Sequence, residues 1–181
     1  MNLIFMVEER SMKIVLDTIL PKILPEDVDF ITIAHSGKSD LEKSVPIKLK
    51  AWNQPECKFV IVRDQDTEDC IDVKNRLIDM TKGTGREVLI RIACRELEAW
   101  YFGDLEAVSK AYGRDLTYLA NKKKYRNPDM IHYPKKELRK FVDKLQQLDG
   151  ARRISKHMDI ERNTSVSFQQ LVAGIRKIMR M

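Results

Sequence analysis

Lys58-Phe59-Val60-Ile61-Val62-Arg63-Asp64-Gln65-Asp66 is the stretch on which the reading of this chain turns. Phe59 to Val62 is an unbroken apolar run rich in β-branched residues. Such a run suits a strand buried on both faces, as in a parallel sheet covered by helices. It ends in two carboxylates one residue apart. On an extended chain, positions i and i+2 project to the same side. Two strand rises put their Cα atoms about 6.6 Å apart. A pair at that spacing can share a hard cation such as Mg²⁺ or Mn²⁺. Asp also punctuates turns and caps helices, so Asp64-x-Asp66 alone carries both readings. The other acids separate them.

Working outward, the same grammar repeats. Asn2 to Val7 reads as a first buried strand, followed directly by Glu8 and Glu9. Ser11 is a candidate cap for a helix from Met12, with Val15, Leu16, Ile19 and Leu20 inward. Pro21 and Pro25 bound its end. Phe30 to Ala34 is a second strand, turned by His35-Ser36-Gly37-Lys38-Ser39-Asp40 into a helix with Leu41, Val45, Leu49 and Trp52 as its stripe. Pro46 inside that stripe predicts a late start or a kink. After Asp66 a helix is expected over 67–80, with Ile71, Leu77 and Ile78 inward and Gly83 and Gly85 at its stop. Glu87 to Ala93 is the fourth strand. Strands alternating with helices imply right-handed crossovers and an α/β fold on a largely parallel four-stranded sheet.

Past Tyr112 the pattern changes. Residues 121–128 form a basic loop containing Lys122, Lys123, Lys124 and Tyr125. Residues 135–148 read as a helix, 150–156 as a basic connector and 168–179 as a final amphipathic helix with Ser165 or Ser167 near its cap. The expected organisation is an α/β domain over 1–112 and a basic, mainly helical extension over 113–181 packed on it.

Charge follows that division. Residues 1–112 carry 16 Lys/Arg against 20 Asp/Glu, a net −4. Residues 113–181 carry 17 against 7, a net +10. A basic tail beside an acidic body suits a polyanion held next to a cation site. Solvated helix faces give the same count. At 181 residues the chain can bury a full core. No apolar run approaches the ~20 residues of a membrane span, and no basic segment precedes residues 2–7 as a secretory signal requires. Cys57, Cys70 and Cys94 show neither a disulfide framework nor a zinc spacing. They read as reduced thiols of a cytoplasmic protein.

Three acidic clusters follow three separate strands: Glu8/Glu9, Asp64/Asp66 and Glu96/Glu98. Sites in open parallel sheets form outside the carboxyl ends of the strands. The fold therefore gathers these acids at one edge, where like charges need cations or protons to offset their repulsion. Glu8 follows its strand directly and is preferred to Glu9, which suits the start of the next helix. Glu98, flanked by Leu97 and Trp100, is preferred to Glu96. The preferred ligands for Mg²⁺ or Mn²⁺ at this edge are Glu8, Asp64, Asp66 and Glu98. Lys38, Arg63 and Arg95 are the expected groups to steady a phosphate charge. Lys122, Lys123, Lys124, Lys135, Lys136, Arg152 and Arg153 are the expected grip on a nucleic-acid backbone.

Other motifs fall away. Gly37-Lys38-Ser39 matches the tail of a phosphate-binding P-loop, but Thr32 stands where its first glycine belongs. Gly83-x-Gly85 lacks the rest of a dinucleotide fingerprint. His35 is a ligand candidate or an ordinary turn histidine. Trp52, Trp100 and Tyr101 read as core.

Val7-Glu8-Glu9-Arg10-Ser11 and Val62-Arg63-Asp64-Gln65-Asp66 together resemble the Toprim domain of topoisomerases, primases and overcoming-lysogenization-defect (OLD) type nucleases. More closely, residues 35–44, Cys94-Arg95-Glu96-Leu97-Glu98-Ala99-Trp100-Tyr101 and Asn163-Thr164-Ser165-Val166-Ser167-Phe168 resemble a group of small bacterial Toprim-like proteins, the DUF4276 family, over nearly the whole chain. The Toprim resemblance implies Mg²⁺ held by Glu8, Asp64 and Asp66, with proton transfer by Glu8 and a later acid best matched by Glu98. Glu9 departs from the glycine that Toprim domains commonly carry there. The resemblance also implies a partner: an SMC-like or AAA-type ATPase encoded nearby, in phage-defence pairs. The expected function is a metal-dependent nuclease or phosphodiesterase acting on nucleic acid. The alternative is a non-catalytic subunit that binds the ATPase.

Overall fold

The computed structural model describes residues 2–143 and 145–180. Met1, Lys144 and Met181, which the two expected domains and the 135–148 helix include, lie outside the described residues. Strands β1 (Asn2–Val7), β2 (Asp29–Ala34), β3 (Cys57–Asp64) and β4 (Val88–Ala93) form one sheet in the order β2-β1-β3-β4. Every neighbouring pair is parallel. The register makes the strands finish level: Val7 lies opposite Ala34 and Val62, and Asp64 opposite Ala93. Glu8, His35, Asp64 and Cys94 thus leave or end their strands on one edge.

The helices are α1 (Arg10–Ile19), α2 (Lys38–Ala51), α3 (Cys70–Thr81), α4 (Glu98–Gly103), α5 (Leu105–Tyr112), α6 (Pro134–Leu138), α7 (Gln147–Ser155) and α8 (Val166–Arg180). They cover both faces of the sheet. Alternate residues Ile4, Met6, Phe59 and Ile61 pack against Leu41, Val45 and Leu49 of α2 and Val73 and Leu77 of α3. Leu3, Phe5, Val7, Val60 and Val62 face the larger layer built by α1 and by α4 to α8. Leu116, Leu138, Ile154, Phe168 and Ile175 belong to that same core, so residues on both sides of Tyr112 bury one another. Among the described residues no helix is long and apolar enough to cross a membrane.

Several expectations need correction. Glu9, not Ser11, occupies the cap position of α1, and Ser11 is buried inside it. The third helix starts at Cys70 because Asp69 accepts the N–H groups of Ile71 and Asp72. That start turns Val73 and Leu77 inward and leaves Ile71 68% exposed and Ile78 outside as well. Pro46 lies within α2, which begins at Lys38, so the helix does not start late. The expected helix over 135–148 is only α6, and the supposed connector 150–156 is mostly α7. Gly150 misleads because it is a packing choice: a Cβ there would meet Leu145 Cδ1 at 2.8 Å.

Candidate functional site

The order β2-β1-β3-β4 sends the chain outward to one side of β1 and then back across to β3. The carboxyl ends of β1 and β3 therefore flank the point where strand order reverses, the usual place for a ligand crevice in such sheets. Glu8 follows β1 there and Asp64 ends β3. The Asp64 N–H donates to Glu8 Oε2 at 3.3 Å. Glu98 opens α4, just beyond β4, and its side chain is turned inward at 5% exposure.

Burial outweighs the charges that oppose it at these carboxyls. Burial first, then the nearby Asp66, pushes Glu8 to about 7, against the pull of Arg63. Burial also lifts Glu98 to about 7, with Lys135 as the main opposing charge. Asp64 is driven well above the carboxylate range by burial, then by Glu98 and Glu8, although the Leu97 N–H favours its ionised form. Asp64 Oδ1 is sealed from solvent and has no hydrogen-bond partner. The Tyr101 hydroxyl is equally orphaned, within the field of Glu98 and Asp64. Unpaired buried oxygens of this kind fit hard divalent cations. Among the described residues no three acids, histidines or cysteines stand ready as a ligand shell, so cation binding requires side chains to turn.

Asp66 departs from the simple i, i+2 picture. The extended chain ends at Asp64, and Asp66 has φ 57°. Its carboxylate meets Lys38 Nζ at 3.3 Å. Arg95, across the edge, also has a left-handed backbone, with φ 66°. The two loops are stitched together: the Asp66 N–H donates to Arg95 O at 2.7 Å, and the Arg95 N–H to Gln65 Oε1 at 3.1 Å.

Arg63 does not point toward a substrate. It is wholly buried, on the α2/α3 side of β3. Its Nη1 lies 3.1 Å from Glu42 Oε1, its Nη2 pairs with Glu68, and its Nε is 3.9 Å from Glu8 Oε2. Arg76 closes the network on Glu68 at 2.7 Å and on Glu42 at 3.3 Å. Sequence reasoning missed Glu42, Glu68 and Arg76, because their partners come from different elements and leave no local pattern.

The basic residues fall on two flanks. On one, Lys124 and Lys140 bind Glu137 of α6 at 2.7 Å each, and α6 also carries Lys135 and Lys136. The Lys135 N–H donates to Glu96 Oε2 at 2.9 Å, so Glu96 anchors this flank while Glu98 faces inward. Lys122 lies over the Tyr118 ring and Lys123 is exposed. On the other flank, Arg152 shares a surface pocket with Arg10 and Lys13, and Arg153 pairs with Asp149 at 2.8 Å. Arg10 and Lys13 were missed for lack of a cluster around them. His35 Nδ1 lies 2.8 Å from Val7 O, an ordinary turn-histidine bond, with Nε2 buried and unpartnered.

The geometry defines a class: an α/β protein with carboxyls of raised pKa at the switch point of a parallel sheet. The chain belongs to the family described as domain of unknown function (DUF4276), whose profile matches residues 7–176. No curated protein and no solved structure matches it.

Proposed function

We propose that this chain is a divalent-cation-dependent phosphodiesterase acting on nucleic acid. The carrying observation is that Glu8 and Glu98, buried at two strand ends, flank Asp64, whose Oδ1 is sealed off without a partner, and that burial raises all three carboxyls. Resemblance to Toprim domains, which use acids in these positions, supports the reading. Glu8, Asp64, Asp66 and Glu98 would hold one or two Mg²⁺ or Mn²⁺. A bound ion supplies Lewis-acid polarisation of a phosphoryl oxygen and an activated water.

The protein's own groups do the rest. Glu8, poised near 7, is suited to take up and return a proton. Arg95 and Lys135 place positive charge beside the acids, where phosphate oxygens gain from it. The two basic flanks hold the strand that runs past the edge, and their contribution weakens as salt rises. Cys57, Cys70 and Cys94 are free, which suits a reducing, cytoplasmic setting.

Plasmid, single-stranded DNA and RNA incubated with Mg²⁺ or Mn²⁺ test the proposal. Wild type is expected to cut at least one of them, and Asp64→Ala/Asp66→Ala none. Equal behaviour of the two proteins removes the assignment. A second reading, a subunit that docks on an ATPase, draws on the exposed Ile47 and Ile71 of α2 and α3. It predicts a complex that survives loss of Asp64 and Asp66 and is broken by Ile47→Glu/Ile71→Glu.

A further inference from the structure

Beside the carboxylates lies a small pocket of about 130 Å³, lined in part by Asp66, Arg95, His132, Tyr133 and Pro134. Pockets that enclose a whole small molecule run to several hundred Å³. This one has room for a single group of a larger ligand. Its walls carry all three non-glycine residues with positive φ among the described residues: Asp66, Arg95 and Tyr133, the last at φ 55°. Left-handed backbone is unfavourable for a bulky side chain, and a following proline pushes its predecessor toward extended backbone. Strain of this kind persists only where neighbours enforce it, and it gathers at ligand sites.

The enforcement is visible. The Lys135 N–H is held by Glu96, and the Tyr133 carbonyl accepts from the Glu137 N–H at 3.0 Å. Upstream, Asp129 accepts the Ser165 hydroxyl at 2.6 Å and the Ser167 N–H at 2.7 Å, tying this segment to the start of α8. The result is a tyrosine left 61% exposed on a pinned backbone. The backbone caps α6, but the exposed side chain buries little surface in return. Arg95 lines the pocket together with the carboxylates of Asp66 and Glu96, and Lys135 and Lys136 lie on the adjoining helix turn.

We infer that Tyr133 is a base-stacking platform, and that the strand held at this site is single-stranded nucleic acid with one unpaired base seated in the pocket. The inference rests on the phosphodiesterase reading for the position of the backbone, and it adds the substrate class. A base stacked inside a duplex keeps its faces covered, whereas an unpaired base offers a face to an aromatic ring. Arg95 takes the adjacent phosphate, and Asp66, which lines the pocket, also stands near Glu8.

Binding is measured by anisotropy in Ca²⁺, with labelled DNA and RNA single strands, the same strands made abasic, and a duplex. Wild type is expected to prefer the base-bearing strand over the abasic one by about tenfold, the contribution of one stacked base. Tyr133→Ala and Tyr133→Gly erase that preference, and Tyr133→Phe keeps it. Tyr133→Gly, free of the backbone strain, also melts higher than wild type, which separates lost binding from lost folding. Equal affinity for abasic and base-bearing strands overturns the inference. So does a Tyr133→Ala protein that keeps the preference, or a duplex bound most tightly. Cleavage is read separately on gels in Mn²⁺. Base-dependent binding without cleavage leaves the platform standing and removes the phosphodiesterase reading. Cleavage without base-dependent binding does the reverse.

Discussion

Arg63 and Asp64 are neighbours in sequence, yet they belong to two charged clusters of opposite character. On the α2/α3 side, Arg63 and Arg76 meet Glu42 and Glu68 in a network whose charges balance. Glu68 is held down at about 2 by Arg76 and Arg63. On the other side, Asp64, Glu98 and Glu8 are raised chiefly by burial, Glu98 and Glu8 add to the rise of Asp64, and Arg63 Nε reaches across to within 3.9 Å of Glu8 Oε2. Alternation along one strand separates them, since adjacent residues project to opposite faces. The balanced cluster is explained by folding. The unbalanced one is not, and strongly perturbed groups in a crevice mark functional sites.

Four experiments sharpen or break this contrast. The largest effect is expected at Asp64. Asp64→Asn should reduce metal-dependent cleavage by about a hundredfold or more, the loss of several kcal/mol of charge stabilisation, while the melting temperature rises because a repelling carboxylate is gone. A coupled fall in both quantities would make Asp64 structural. Next, Arg63→Leu removes the wholly buried member of the network and leaves the partly exposed Glu42 and Glu68 with Arg76 alone. About 1–3 kcal/mol of stability should disappear in urea unfolding, and a loss near zero would show that the network is ornamental to the fold.

The third experiment is pH dependence, where the clusters have opposite signs. Glu8 and Glu98 have folded-state pKa values raised from 4.5 to about 7. Their favourable contribution is complete below about 4.5, is lost as pH rises toward about 7, and stays lost above it. Each ionised carboxyl then costs the fold about 3 kcal/mol, at ~1.4 kcal/mol per pH unit. Glu68, depressed to about 2, behaves the other way: its contribution is present above 4.5 and is lost as pH falls toward 2. Urea melts from pH 5 to 8 should show falling stability in wild type and a flatter profile in Glu98→Gln. Mg²⁺ should restore wild type at pH 8 and do little for Asp64→Asn. An identical slope in all proteins would contradict the burial argument. The smallest effect is expected at Lys13, whose ion pair with Asp17 at 2.9 Å is half exposed. Lys13→Ala should cost under about 0.5 kcal/mol in the same melts.

Much of this was legible in the chain. The apolar runs 2–7 and 59–62 announced strands because a parallel sheet buried on both faces admits little else, and 30–34 pairs at the sheet edge with only Thr32 buried. Helix faces were harder. Ile71 and Ile78 look like core residues by composition, but the Asp69 cap fixes a phase that only the folded backbone reveals. Gly150 looked like a break, and its contact with Leu145 came from packing. For the site, Glu98 could be preferred over Glu96 from its apolar flanks. The enclosure of Arg63 by Glu42 and Glu68, and the left-handed Tyr133 beside Asp66, had no local signal.

The α/β alternation, the acids that follow three strand ends and the basic weight of the last third are written in the order of residues, because hydrophobic periodicity and charge are local properties. Which charges find partners depends on the folded chain. Strand order brought β1 beside β3, the pleat sent Arg63 and Asp64 to opposite faces, and the loop backbone turned Asp66 toward Lys38. Coulomb energies depend on distance and burial between residues far apart in the chain, and those quantities exist only once it has folded.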